Sequence, residues 1–330
     1  MIEMAFRYIN PGNGALLNDS SVLTVENNFT YNPNNGISFS KSATSLQADN
    51  RITLAQAFTT DIYAKFNMYV GYNKPQYFYL GAKSTNGASS QTNIYSSCFG
   101  VRINNDTVDL LAGKNYNVTG GGILTTNSGL KTKSLNTIQF HIHRGEDAAS
   151  SFGELSINGT TYTAQFTNDN YQYDFSDEKA FFIQFPTTYG TTTFISELIV
   201  SNDAISPKEK ILALPISSTQ SDMTAGNDGI YIANAAAQTL LQTPNVADLI
   251  TAYGANSSIT GIAVVGNPAY KTGEGITTLT GLSKASNVIT EHGACALSND
   301  SLSSVMDGWK VENTTIADLL NMQFGWKVGE

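Results

Sequence analysis

The sequence predicts an all-β protein: an antiparallel jelly-roll β-sandwich followed by a smaller β-rich domain with short helices. Three observations carry this reading. Short runs of alternating apolar and polar residues recur along the chain, the period of a strand with one face buried. Asn, Gly and Ser clusters punctuate the runs, and Asn158-Gly159 between two of them is a strong hairpin signal. Hydrophobic residues make up 41% of the 330 residues and charged residues only 14%, which supplies a core and excludes the charge-rich, aromatic-poor composition of a disordered chain.

The strands follow in order. Phe58 to Val70 alternates, with Ile62, Ala64, Phe66 and Met68 on one face. Tyr77-Phe78-Tyr79-Leu80 follows a proline and is expected to stop at Gly81. Phe99 to Ile103 runs into Asn104-Asn105-Asp106, a turn, and the chain returns as Thr107 to Leu111. Ile138 to His143 is a strand, followed by a loop from Arg144 to Ser151. The Asn158-Gly159 hairpin comes next, and Ala180 to Phe185 and Thr193 to Ser201 complete the set. Many short strands with Asn/Gly turns point to an antiparallel sandwich.

Composition then shifts. Fifteen of the sixteen Phe residues precede position 195, whereas Trp309 and Trp326 both lie near the C-terminus, as two separate cores would produce. We therefore divide the chain into a sandwich at 1–205, a helical turn and linker at 206–222, and a second domain at 223–330. Ser206 reads as a helix N-cap, Pro207 as the first helical residue and Pro215 as the stop. The polar run at 217–229 has no apolar period and reads as linker. Beyond it, Ala235 to Leu241 and Val246 to Tyr253 are expected as short helices. Ile259 to Val265, Ile276 to Leu282 and Asn287 to Leu297 are expected as strands. Thr315 is expected to cap a short helix, Ile316 to Met322, before a final strand, Gln323 to Val328.

Charge excludes some partners. Acidic side chains outnumber basic ones, 27 to 18, for a net charge of −9. Residues 1–205 carry 12 basic and 16 acidic side chains and residues 206–330 carry 6 and 11, so neither part is a basic arm. Nucleic acid and anionic membrane surfaces draw their affinity from Lys and Arg and are not expected partners. No run approaches the length of a membrane-spanning helix, so membrane insertion is not expected. The N-terminal residues do not read as a secretion signal.

Candidate chemistry is sparse. Glycoside hydrolysis needs two carboxylates facing one bond, and no strand shows them at matching spacing. Glu146-Asp147, Asp106 with Asp109, and Asp174, Asp177 and Glu178 read as solvated turn residues, so no catalytic residue is assigned. His141-x-His143 places two imidazoles on one strand face, a pair of metal ligands or a pair of surface histidines. The remaining histidine, His292, belongs to the second domain. No cofactor is expected; Ca²⁺ is kept open because Asp-rich turns offer oxygen ligands, although no full ligand loop is legible. Cys98 and Cys295 lie in strand-like runs of different domains and read as free thiols. Sugar binding uses aromatic faces beside amides and carboxylates. Tyr171 and Tyr173 beside Asp169, Asn170 and Asp174 form the preferred ligand-binding cluster.

Four segments of the first part carry a family resemblance: Tyr77 to Leu80, Asn136 to His141, the Gly153 to Gly159 hairpin, and the closing run Phe194 to Ser201. Together they resemble laminin-G-like or concanavalin-like jelly-roll domains. In the last 110 or so residues the carrying segments are Asp228 to Tyr231, Ile259 to Val265, Trp309, Thr315 to Leu319 and Gln323 to Val328. This part resembles a domain recurrent in tailed-phage and prophage virion proteins. The resemblances imply a virion structural and adhesion protein, tail-associated or on the capsid surface, that binds a host-surface glycan through its jelly roll. They imply other virion proteins and further copies of the chain as partners, and binding rather than turnover. A bacterial cell-surface carbohydrate-binding module is the alternative, and a glycan depolymerase a weaker one.

Overall fold

The computed structural model describes residues 7–10, 23–26, 29–32, 36–39, 50–57, 60–70, 78–84, 98–112, 123–147, 149–166, 179–185, 193–212, 214–227, 230–269, 271, 275–297 and 303–330. The chain divides into two compact units, one Tyr8–Ile211 and the other Leu212–Glu330 together with Arg7.

The first unit is built from fifteen described strands. They are β1 (Arg7–Asn10), β2 (Leu23–Glu26), β3 (Phe29–Asn32), β4 (Gly36–Phe39), β5 (Asn50–Ala57), β6 (Asp61–Val70), β7 (Phe78–Ser84) and β8 (Cys98–Asn104). There follow β9 (Thr107–Ala112), β10 (Ile123–Thr125), β11 (Ser134–His143), β12 (Phe152–Ile157), β13 (Thr160–Gln165), β14 (Lys179–Phe185) and β15 (Thr193–Ser201). One sheet runs β13-β12-β11-β6-β15-β4-β3, with β1 also beside β15; the other runs β10-β9-β8-β7-β14-β5-β2. The predicted all-β antiparallel sandwich is what the chain forms.

Alternation decides which face is inside. Along β6, Ile62, Ala64, Phe66, Met68 and Val70 are buried, and along β11 so are Ile138, Phe140 and Ile142. The second sheet contributes Leu80, Val101, Ile103, Val108 and Leu110. Among the described residues Phe66 and Phe140 are the largest fully buried side chains, each worth about 2–3 kcal/mol of transfer free energy. At Gly153 the sheets meet closely: a Cβ there would lie 2.3 Å from Leu110 Cδ2. With one face of β6, β11 and β12 committed to this core, the alternate residues turn to the other face, among them Asp61, Tyr63, His141, His143, Phe152 and Glu154. The β12–β13 turn has Asn158 at φ 53° and Gly159 at φ 84°, the two positive values of a type I′ hairpin.

Several local expectations are corrected. The strand through Tyr79 does not stop at Gly81; β7 continues to Ser84 because Gly81 pairs with Gly100 across the sheet. The run after Ser206 is not a helix but a single turn, in which the Glu209 amide donates to the Ser206 carbonyl at 3.1 Å. The reason is long-range. The buried ammonium of Lys65 takes the carbonyls of Ser206, Pro207 and Glu209, the groups that a helix would have used itself.

The second unit contains β16 (Ile216–Ser221), β17 (Thr224–Ala225), β18 (Tyr231–Ile232), β19 (Thr239–Pro244), helix α1 (Ala247–Tyr253) and β20 (Ser258–Ala269). It continues with β21 (Thr278–Ala285), β22 (Val288–Ala296), β23 (Ser303–Thr315), a 3-10 turn at Asp318–Asn321 and β24 (Met322–Gly329). The main sheet runs β16-β19-β24-β21-β22, with β20-β23 and β17-β18 as two-stranded ribbons. Its core includes Val246, Val264, Cys295, Val305, Leu319, Phe324 and Trp326.

Here too expectation and structure differ. The polar run after Pro215 is not all linker, since its first residues form β16, an exposed edge strand on β19 that needs no apolar period. Ala235 to Leu241 is not a helix: Ala237 has φ 68°, and from Thr239 the chain is strand β19, paired to β24. Strand β23 was not anticipated, because Asp307, Gly308 and Lys310 break its apolar pattern. Thr315 does not cap the turn that follows. Its amide and hydroxyl instead both donate to Asp318 Oδ2 at 2.7 Å, and only four residues are helical. Among the described residues no helix is long and apolar enough to cross a membrane.

Candidate functional site

The outer face of β6, β11 and β12 gathers aromatic, imidazole and carboxylate side chains. Register does the gathering. Across β6 and β11, Asp61 pairs with His143 and Tyr63 with His141. Across β11 and β12, His143 pairs with Phe152 and His141 with Glu154. Since these residues are in phase on their strands, all six side chains stand on the solvent side.

The rings are ordered against one another. Tyr63 and His141 stack with centroids 3.9 Å apart and planes 12° from parallel. His143 stacks on Phe152 at 5.2 Å, and His141 meets the edge of the same ring at 5.1 Å. Both imidazoles converge on one oxygen. His141 Nε2 lies 2.8 Å and His143 Nδ1 2.9 Å from Asp61 Oδ1. Different nitrogens serve because Asp61 stands directly opposite His143, so its near nitrogen suffices while His141 must reach with its far one. The side chains are 29% (Asp61), 17% (His141) and 31% (His143) exposed, half-buried rather than free in solvent.

Electrostatics follow from this packing. Burial pushes the Asp61 carboxyl up, but the hydrogen bonds with His141 and His143 and the charge interactions with the same two rings together hold the group below its ordinary value. The Tyr63 hydroxyl is raised, first by burial and then by the charges of Asp61, Asp203 and Glu154. The patch therefore offers ring faces, imidazole donors and carboxylate acceptors side by side, the groups that orient a hydroxyl-rich ligand. Asp61, His141 and His143 are also the one group among the described residues able to hold a metal ion, one ligand atom each within 4.8 Å of the others.

The paired histidines on one face are as expected; Asp61 was missed. Its sequence signal is only its phase with Tyr63 at the start of an alternating run, and the register that brings it to His143 spans 82 positions. The preferred sugar-binding cluster, Tyr171, Tyr173, Asp169, Asn170 and Asp174, lies outside the described residues, as do Asp177 and Glu178. Asp147 sits in an exposed turn, its Oδ1 accepting from the Ser150 amide at 2.8 Å and hydroxyl at 2.7 Å. Asp109 is bonded to Arg102.

The second unit has its own histidine site. His292 stacks face to face on Trp309 at 3.7 Å, and its Nε2 lies 2.8 Å from Ser283 Oγ. Burial lowers the imidazole's pKa. Cys295 is a buried thiol whose Sγ donates to the Met306 carbonyl at 3.2 Å.

No family model and no curated relative matches the sequence. Solved structures similar to the chain include the metal-free carbohydrate recognition domain of Emp46p, at 9% identity and TM-score 0.42 over 60% of this chain and 97% of that one. Another is the metal-free lectin I-B4 of Griffonia simplicifolia, at 9% identity and TM-score 0.44 over 60% and 100%. A third is the alginate lyase vAL-1 from Chlorella virus, at 9% identity and TM-score 0.43 over 59% and 99%.

Proposed function

We propose that this chain is a virion structural and adhesion protein of a phage, tail-associated or on the capsid surface, which binds a host-surface glycan through its sandwich unit. The observation that supports glycan binding is the outer-face patch in which Tyr63, Phe152, His141 and His143 surround Asp61. Sugars pack their C–H faces on aromatic rings and donate hydroxyls to carboxylates. The virion role rests on the resemblance of residues 228–328 to phage proteins and on a charge-poor, acidic composition suited to assembly rather than nucleic-acid binding. Its mechanism is binding, with other virion proteins and further copies of the chain as partners.

A glycan array with the purified chain, scored for retention and for cleavage, tests the glycan half. Retention without cleavage is expected, weakened at least about tenfold in Tyr63→Ala and Phe152→Ala, as for the loss of a stacking platform worth over 1 kcal/mol. Cleavage would turn the reading to a depolymerase. Retention unchanged when Tyr63→Ala and Phe152→Ala are combined in one chain would remove the patch as its cause. Antibody labelling of intact particles tests the virion half, which absence of label would overturn.

A further inference from the structure

We infer that Asp61, His141 and His143 form a binding site for a first-row transition-metal dication, Zn²⁺ being the probe of choice. The donor set is two imidazole nitrogens and one carboxylate oxygen, the two-His-one-carboxylate combination that leaves coordination positions open. Here those positions face solvent, because the sheet's other face is committed to the core.

Geometry supports the assignment. Two ligands bound at about 2.1 Å lie about 3.0 Å apart at the right angle of an octahedral ion and about 3.4 Å apart at the tetrahedral angle of zinc. The two nitrogens lie 2.8 and 2.9 Å from the shared oxygen, so the ligand atoms already stand near coordination spacing. Coordination uses the lone pairs of His141 Nε2 and His143 Nδ1. The proton of each neutral ring then resides on its other nitrogen, and Asp61 exchanges two N–H donors for one cation. Ring packing limits the reorganisation needed. Tyr63 stacks on His141 and Phe152 on His143, which fixes both imidazoles before any metal arrives. The nitrogen donors also choose the ion: Ca²⁺ takes six to eight oxygens, whereas imidazole suits zinc, nickel, cobalt and copper.

The test uses the full chain after chelator treatment, with no glycan present, so its outcome is separable from that of the glycan array. Calorimetric titration with Zn²⁺ is expected to show saturable binding at one ion per chain, and titration with Ca²⁺ none. His141→Gln, His143→Gln and Asp61→Asn are each expected to weaken Zn²⁺ by more than about tenfold, the loss already typical of a missing outer-shell partner. His292→Gln is expected to leave it unchanged. Imidazole ¹⁵N spectra of the unmodified chain give a readout that no folding defect can mimic: Zn²⁺ should shift two histidines and leave the third. Absence of saturable uptake, full affinity in the His141→Gln/His143→Gln double variant, or a shift confined to His292 would each overturn the site.

Discussion

The carboxylate of Asp307 fills the space that a side chain on Gly281 would need: a Cβ there would lie 2.0 Å from Oδ2. Gly293, on the adjacent strand, is in the same position, with a Cβ 2.5 Å from Oδ1. Two glycines on β21 and β22 thus cradle one acid on β23. The backbones of Gly293, Gly281 and Gly308 draw the charge toward them, yet Oδ2 accepts no hydrogen bond of good geometry.

Gly281→Ala and Gly293→Ala should each destabilise the second unit by about 1–3 kcal/mol, the usual cost of overpacking. Paired with Asp307→Ala, either substitution should cost less than the sum of the two singles, because removing the carboxylate clears the clash. Denaturant melts of the four proteins in each cycle measure this. Strict additivity would mean that the cradle is not the cause.

Asp307 also sets a pH dependence. Burial pushes its pKa from the ordinary 3.8 up to about 6. The folded state then binds a proton more tightly than the unfolded state, so stability falls as pH rises from about 4 to about 6 and levels off above. The full penalty is at most about 3 kcal/mol. Asp307→Asn should flatten that segment, so the variant gains on the parent between pH 4 and pH 7. Urea midpoints at both ends of the window decide it, an equal slope in the two proteins being the contrary result.

Lys65 is buried with its ammonium on the carbonyls of Ser206, Pro207 and Glu209. Lys65→Met keeps the stem but takes the ammonium from three carbonyls, of which that of Ser206 keeps the Glu209 amide, at an expected cost of about 2–4 kcal/mol. The 206–210 backbone should also exchange its amide hydrogens faster. A thermal midpoint within a degree of the parent would show that water replaces the ammonium without loss.

Asn136 is wholly buried, and both ends of its amide are used. Nδ2 donates to the carbonyls of Lys131 at 2.9 Å and Ser134 at 3.2 Å, and Oδ1 accepts from the Lys131 amide at 2.8 Å and Asn158 Nδ2 at 2.9 Å. Asn136→Ala should cost about 1–3 kcal/mol for the groups left unsatisfied. Asn136→Asp should cost more, since a carboxylate would face three carbonyls, those of Lys131, Ser134 and, at 3.4 Å, Met68. Equal midpoints for the two variants would count against this network.

Local patterns could be read from the chain alone. The alternation along Phe58 to Val70 assigns that strand and the shared face of Ile62, Ala64, Phe66 and Met68, and the run Ile138 to His143 is legible as a strand, because a period of two follows from strand geometry. Asn158-Gly159 declares its turn, because both positions need positive φ. The pairing of His141 with His143 is legible for the same reason as the strands. What the chain could not show is anything that depends on a distant partner. Asp61 joins the histidines only through the β6–β11 register. Ser206 and Pro207 carry sound helix-start chemistry, yet Lys65 takes the carbonyls. Ile216–Ser221 has no strand period, yet β19 supplies its hydrogen bonds. Gly281 and Gly293 acquire their meaning only when Asp307 is laid over them. Side-chain phase is a property of a few consecutive residues, whereas register, capture of carbonyls and close approach are decided by which segments meet, and that is set by the packing of the whole sheet.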